Sequence, residues 1–103
     1  MKMEIVLSKL KAETLGYTVE TCYEVVDRIF AKYGIAPESQ GVYRGPNVQN
    51  TYNACAAALI RLPKSSWFLK LVEEWYWYVG SDDVSDREDC LADYYAFQRG
   101  ANI

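Results

Sequence analysis

The chain of 103 residues contains no histidine, so any chemistry it performs would have to use carboxylates, cysteines or tyrosines. The absence of histidine excludes Ser-His-Asp and Cys-His catalysis and histidine-ligated zinc. The adjacent acids Glu73-Glu74 and Asp82-Asp83 do not converge on one substrate within a helix, because neighbouring helical residues point about 100° apart. Glycine-rich phosphate loops and the EF-hand spacing of calcium ligands are also absent from the sequence. We therefore predict a protein without enzymatic activity, cofactor or bound metal.

Acidic residues are concentrated in one stretch of the chain. Residues 1–60 carry six basic and six acidic side chains, whereas residues 73–93 carry eight acids and one base, Arg87, a net charge of −7. Acids near a helix N-terminus stabilise that helix, which is one explanation for the stretch. The other explanation is a surface that binds a basic partner, since charge complementarity speeds association and selects the partner.

Four aromatic residues follow one another at 75–78, in the order Trp-Tyr-Trp-Tyr. If the segment is helical, Trp75 and Tyr78 lie on the core side and Trp77 lies nearly opposite, among charged residues. Either a neighbouring segment covers Trp77, or Trp77 anchors a partner, because tryptophan and tyrosine supply much of the energy at protein interfaces. The second arrangement gives a candidate partner-binding site, an aromatic anchor surrounded by acids. Its residues are Trp77, Tyr76, Glu73, Glu74, Asp82, Asp83, Asp86 and Asp89.

The three cysteines, Cys22, Cys55 and Cys90, are an odd number without a CxxC pair. This pattern favours reduced thiols packed as small hydrophobic residues over a disulfide framework or a thiolate metal site. The longest apolar run, 54–60, is seven residues long, and the start of the chain has only three consecutive apolar residues. A signal peptide needs an apolar core of about 7–15 residues and a spanning helix about 20. We expect a soluble, cytoplasmic protein.

The sequence pattern predicts that the segments holding these residues are mainly helices. Four segments show apolar residues at helical spacing, with capping residues before them and glycine or proline after them. For the last of them, Ser85 and Glu88 have the spacing of a capping box. The predicted helices are 18–33, 47–62, 65–79 and 85–100.

The first eight residues fit either a strand or a helix, because their apolar side chains satisfy both periods. We favour a helix, since the only candidate strand partner is the short stretch 42–44. The sequence therefore predicts an all-α or mainly α fold, a bundle of four or five short helices in a single domain over residues 1–103. A short β element at 1–8 and 42–44 is the alternative.

The sequence thus favours a non-enzymatic protein-binding module that occupies a basic, nucleic-acid-binding site on a larger protein. In size, acidity, predicted helicity and lack of catalytic motifs the chain is similar to phage-encoded inhibitors of bacterial defence systems, anti-CRISPR proteins among them; this likeness of type involves no shared motif. Such an inhibitor would act as a nucleic-acid mimic, without binding nucleic acid or membrane itself. The alternatives that stay open include a subunit that self-associates through the aromatic face, as a homodimer for example, and an enzyme or small-ligand protein with a pocket between aromatic-rich helices.

Overall fold

Five strands and five α-helices follow one another along residues 1–101, which a computed structural model of the chain describes. Among the helices of these residues, none is long and apolar enough to cross a membrane. Two short 3-10 helices cover Leu62–Lys64 and Val84–Asp86. The strands are β1 (Lys2–Leu7), β2 (Pro37–Ser39), β3 (Val42–Arg44), β4 (Val72–Tyr78) and β5 (Arg87–Asp89). The helices are α1 (Lys9–Thr14), α2 (Val19–Ala31), α3 (Gln49–Arg61), α4 (Phe68–Leu71) and α5 (Cys90–Ala101).

The five strands form one antiparallel sheet in the order β2-β3-β1-β4-β5. β1 lies at its centre and pairs with β3 on one side and with β4 on the other, while β2 and β5 form the edges. The prediction of an all-α helical bundle is therefore wrong. The protein is an α/β fold built on an antiparallel sheet.

The N-terminal segment is a strand and not the helix that we favoured. Met3, Ile5 and Leu7 point to one face of the sheet and are buried there, as the period of two requires. The short stretch 42–44 does pair with this strand, with Tyr43 opposite Met3. The second and longer partner is β4, which the sequence pattern had assigned to a helix.

The prediction of a helix over 65–79 is wrong except for the single turn of α4. Trp75 and Trp77 face the helices, whereas Tyr76 between them faces the other side of the sheet. Aromatic and β-branched residues favour strands when they can pack against cross-strand neighbours, and β1 supplies those neighbours along the whole segment.

The last helix begins at Cys90, so the capping box predicted at Ser85 and Glu88 is also wrong. Ser85 lies in a 3-10 helix, and Glu88 lies in β5. The residue that caps α5 is Asp89, whose carboxylate accepts a hydrogen bond of 3.0 Å from the Ala92 N–H.

The two central helices confirm the sequence prediction. α2 follows Thr18, whose hydroxyl accepts a hydrogen bond from the Thr21 N–H, and Gly34 adopts a φ of 74° just after the helix. α3 lies within the predicted range 47–62, although Val48 precedes it without a side-chain cap.

The molecule has two layers, one of strands and one of helices. α2 stacks Phe30 on Tyr43 of β3 at 4.1 Å between ring centroids, and α4 places Phe68 edge-on to Trp75 of β4 at 4.9 Å. Both contacts are on the same sheet face. The overall extents of 38 × 37 × 23 Å fit this arrangement, since one sheet with one packed helix layer has about that thickness.

Candidate functional site

The structure divides the predicted acidic surface into two groups. The first lies in the loop between β4 and β5, and its carboxylates make contacts within the chain. Asp82 forms an ion pair of 2.6 Å with Arg44, Asp83 accepts hydrogen bonds from Ser85, and Asp86 accepts one of 2.6 Å from the Ser81 hydroxyl. The Arg44 guanidinium lowers the pKa of Asp82, and the backbone N–H of Ser85 lowers the pKa of Asp83. These three acids stabilise the loop.

The second group lies on β4, β5 and the first turn of α5. Glu73 and Glu74 are both exposed because a bulge interrupts the pairing of β1 with β4 at this point. Within residues 1–101, no member of the group forms an ion pair. We call this group the acidic edge, and it consists of Glu73, Glu74, Glu88, Asp89 and Asp93.

Arg87, the one base within 73–93, is directed away from Glu88. Because side chains alternate along a strand, Arg87 and Glu88 point to opposite faces of the sheet. The Arg87 guanidinium lies 3.6 Å from the ring centroid of Tyr76 and donates a hydrogen bond of 3.0 Å to the Tyr78 hydroxyl. On the helix side of β5, the carboxylates of Glu88 and Asp93 therefore have no neutralising partner from this strand.

The predicted aromatic anchor is split between the two sheet faces. Trp77, expected on a charged helix face, is only 7% exposed and packs 5.3 Å from Tyr52 of α3. Tyr76 lies on the opposite face beneath Arg87. The helical-wheel placement of Trp77 is thus wrong, because strand alternation and not helical rotation decides its direction. Whether either residue binds a partner stays a prediction.

A pocket that the sequence did not reveal opens beside Trp77, between β4, β5, α3 and α5. Its volume is about 270 Å³. Trp75 and Trp77 of β4 form one wall, and Tyr94 and Phe97 of α5 form another. Phe97 is 73% exposed, so this wall stands at the surface. The spacing of Tyr94 and Phe97, one helical turn apart, is the one sequence signal that could have indicated a common lining.

Acidic residues also line this pocket. Glu88 of β5 and Asp93 of α5, two members of the acidic edge, contribute to its lining, and none of the described side chains around it is basic. Cys90 lies between them in the chain and is buried. Burial, with smaller contributions from Asp93 and Glu88, raises the pKa of the Cys90 thiol to about 12. This thiol stays protonated at neutral pH and is a poor nucleophile.

Trp77 brings an unsatisfied donor to the pocket wall. Its indole Nε1 is buried and has no hydrogen-bond acceptor among residues 1–101. By contrast, the indole of Trp75 contacts the Met3 sulfur at 3.4 Å. A buried N–H without an acceptor costs free energy, and this atom has almost no accessible surface.

The described side chains offer few groups for metal or thiol chemistry. Within residues 1–101, no three cysteine, aspartate or glutamate side chains lie close enough together to hold a metal ion. Burial raises the pKa of Cys55 to about 11 and also raises that of Cys22. The residues that the structure brings together are acids and aromatic rings, a combination that attracts organic cations.

Comparison of the chain with protein-family models, with curated proteins and with solved structures finds no match. The acidic edge and its pocket are therefore the features of the molecule from which we infer a function.

Proposed function

We propose that the protein is a non-enzymatic binding module whose acidic edge binds a basic surface of a larger protein. The observation that supports this most is that five carboxylates on β4, β5 and α5 form no ion pair within residues 1–101, while Arg87 is engaged with Tyr76 and Tyr78. A group of carboxylates without internal ion pairs favours an external partner of opposite sign, which it attracts at long range.

The basic surface we infer is one that otherwise binds nucleic acid, with the carboxylates taking the place of phosphates. Such surfaces carry clustered lysine and arginine side chains, whose spacing matches repeated negative charge. An interface of ordinary size needs about 800 Å² from each partner. The total accessible surface of 6080 Å² accommodates such a contact on one side of the molecule. Occupation of this kind would inhibit the partner.

Two charge-reversed variants of equal net charge test the proposal. In the first, Glu73→Lys and Glu74→Lys alter the acidic edge outside the pocket. In the second, Glu13→Lys and Glu24→Lys alter exposed acids on α1 and α2. Each variant and the wild type are used as bait in nuclease-treated lysate of the source cell, and the retained proteins are identified by mass spectrometry. We expect a basic protein that the wild type and the second variant retain, and that the first variant and high salt release.

Equal retention by both variants would contradict the proposal, since it would mean that the location of the acids does not matter. Retention of no protein would contradict it as well. In that case the exposed aromatic residues of α5, Tyr95 and Phe97, favour self-association, which light scattering over a range of concentrations measures. A symmetric dimer through the acidic edge itself would place like charges opposite one another, which is unfavourable.

A further inference from the structure

The pocket beside Trp77 combines an apolar lining with negative charge. Four aromatic rings and two carboxylates, those of Glu88 and Asp93, line it. A purely apolar ligand would leave the carboxylates without a partner, and an anion would be repelled by them. The combination instead fits an organic cation, which aromatic faces attract through their quadrupole and carboxylates through their charge.

We propose that this pocket receives the guanidinium end of an arginine side chain from the basic partner, an inference that rests on the proposed function. A guanidinium is planar, stacks on aromatic rings and binds carboxylates through two parallel hydrogen bonds. A lysine ammonium lacks the flat surface and is more strongly hydrated, so it gains less from the aromatic walls.

The size of the pocket suits one such side chain. An apolar cavity of about 150 Å³ accommodates a benzene molecule, so about 270 Å³ accommodates a guanidinium with part of its aliphatic stem. A folded domain or a nucleobase pair would not fit. The occupant is therefore a single side chain that projects from the partner.

The same chain already shows the contact in question on the other face of its sheet. There, Arg87 lies 3.6 Å from the ring centroid of Tyr76 and donates to the Tyr78 hydroxyl. The pocket presents a similar aromatic surface with carboxylates added and without a cation of its own among residues 1–101. An external arginine would complete it.

The test uses the full chain and two small probes, N-acetyl-arginine N-methylamide and the neutral citrulline analogue of the same shape. Binding is followed by ¹⁵N NMR of the indole N–H groups of the three tryptophans, with the Trp77 signal assigned from a Trp77→Phe variant. We expect the arginine probe to shift the Trp77 signal in a saturable manner, with a dissociation constant on the order of 1 mM. The citrulline probe should bind at least tenfold more weakly.

Two double variants, each with two acids neutralised, show whether the acids of the pocket contribute to binding. Glu88→Gln with Asp93→Asn removes the charge beside the pocket, and Glu73→Gln with Glu74→Gln removes the same charge elsewhere on the acidic edge. All four residues are exposed, so both variants should fold, and the dispersion of their amide spectra checks this. We expect the first pair to weaken binding of the arginine probe about tenfold and the second to leave it within twofold.

Equal binding of the two probes, a shift that does not saturate, or equal effects of the two variant pairs would overturn the inference. These results are distinct from a failure of the proposed function. If the partner of the lysate experiment is lost with Glu73→Lys and Glu74→Lys but the arginine probe does not bind, the pocket inference fails and the proposed function stands. If the arginine probe binds but no partner is retained from the lysate, the pocket inference stands and the proposed function fails.

Discussion

At the scale of single residues, two buried polar atoms lack hydrogen-bond partners among residues 1–101, and they differ in setting. Nε1 of Trp77 belongs to a residue that lines the pocket. The hydroxyl of Thr51 belongs to the inner face of α3, where the residue is 2% exposed and packs against Gly45. We interpret the second as a cost of packing.

Replacement of Thr51 by valine tests this interpretation. Valine keeps the branched shape and removes the hydroxyl, which loses its hydrogen bonds to water on folding and gains none within the described residues. We expect Thr51→Val to raise the free energy of unfolding by about 1 kcal/mol, measured by urea denaturation. Thr51→Ala is the control, since it also removes a methyl group and should gain less or lose stability. A valine variant less stable than the wild type would show that the hydroxyl does have a partner.

At the scale of elements, the sequence predicted those whose signals are local. α2 has a threonine cap, an apolar stripe and a glycine after it within seventeen residues, and each of these signals concerns backbone groups nearby. The range of α3 was predicted for the same reason. Neither helix depends on a distant partner to be recognised.

The sequence analysis gave β1 and β3 only as an alternative and missed the other strands, because strand partners lie far away in the chain. β1 pairs with residues about 40 and 70 positions later, and nothing in the first eight residues indicates the longer partner, β4. In 65–79 the apolar residues satisfy both a helical and a strand period, and the pairing with β1 decides between them. The pairing of β4 with β1 also determines the candidate site. It directs Trp77 inward and exposes Glu73 and Glu74 at the bulge, and α5 forms the remaining wall of the pocket.

The start of α5 allows a direct test between the predicted and the observed cap. Asp89→Ala removes the carboxylate that accepts from Ala92, so we expect about 1 kcal/mol of destabilisation and faster amide hydrogen exchange at the start of α5. Ser85→Ala is the matched control, because Ser85 caps the helix only if the capping box is correct. Equal protection of α5 in both variants, or a larger loss with Ser85→Ala, would contradict the observed start of the helix.

At the scale of the whole molecule, some charged side chains are paired within the chain and others are not. On the sheet face away from the helices, Lys2 lies 3.8 Å from Glu4, and Arg44 contacts both Glu38 and Asp82. The acidic edge has no such pairs among the described residues. Like charges in one region repel one another, so we expect a binding surface of this kind to be maintained at a cost in stability.

Neutralising part of the acidic edge should therefore stabilise the free protein. We expect Glu73→Gln with Glu74→Gln to raise the midpoint of thermal unfolding at low salt, by a free energy of about 0.5 kcal/mol or less per residue. Near 1 M salt the Debye length falls to about 3 Å, so the difference from the wild type should disappear. The paired control is Glu13→Gln with Glu24→Gln on α1 and α2, where the surroundings are mixed in charge and we expect a smaller change. A stabilisation that persisted in high salt would have a cause other than charge repulsion. Equal stabilisation by both pairs would mean that charge repulsion at the acidic edge is no greater than at the control sites.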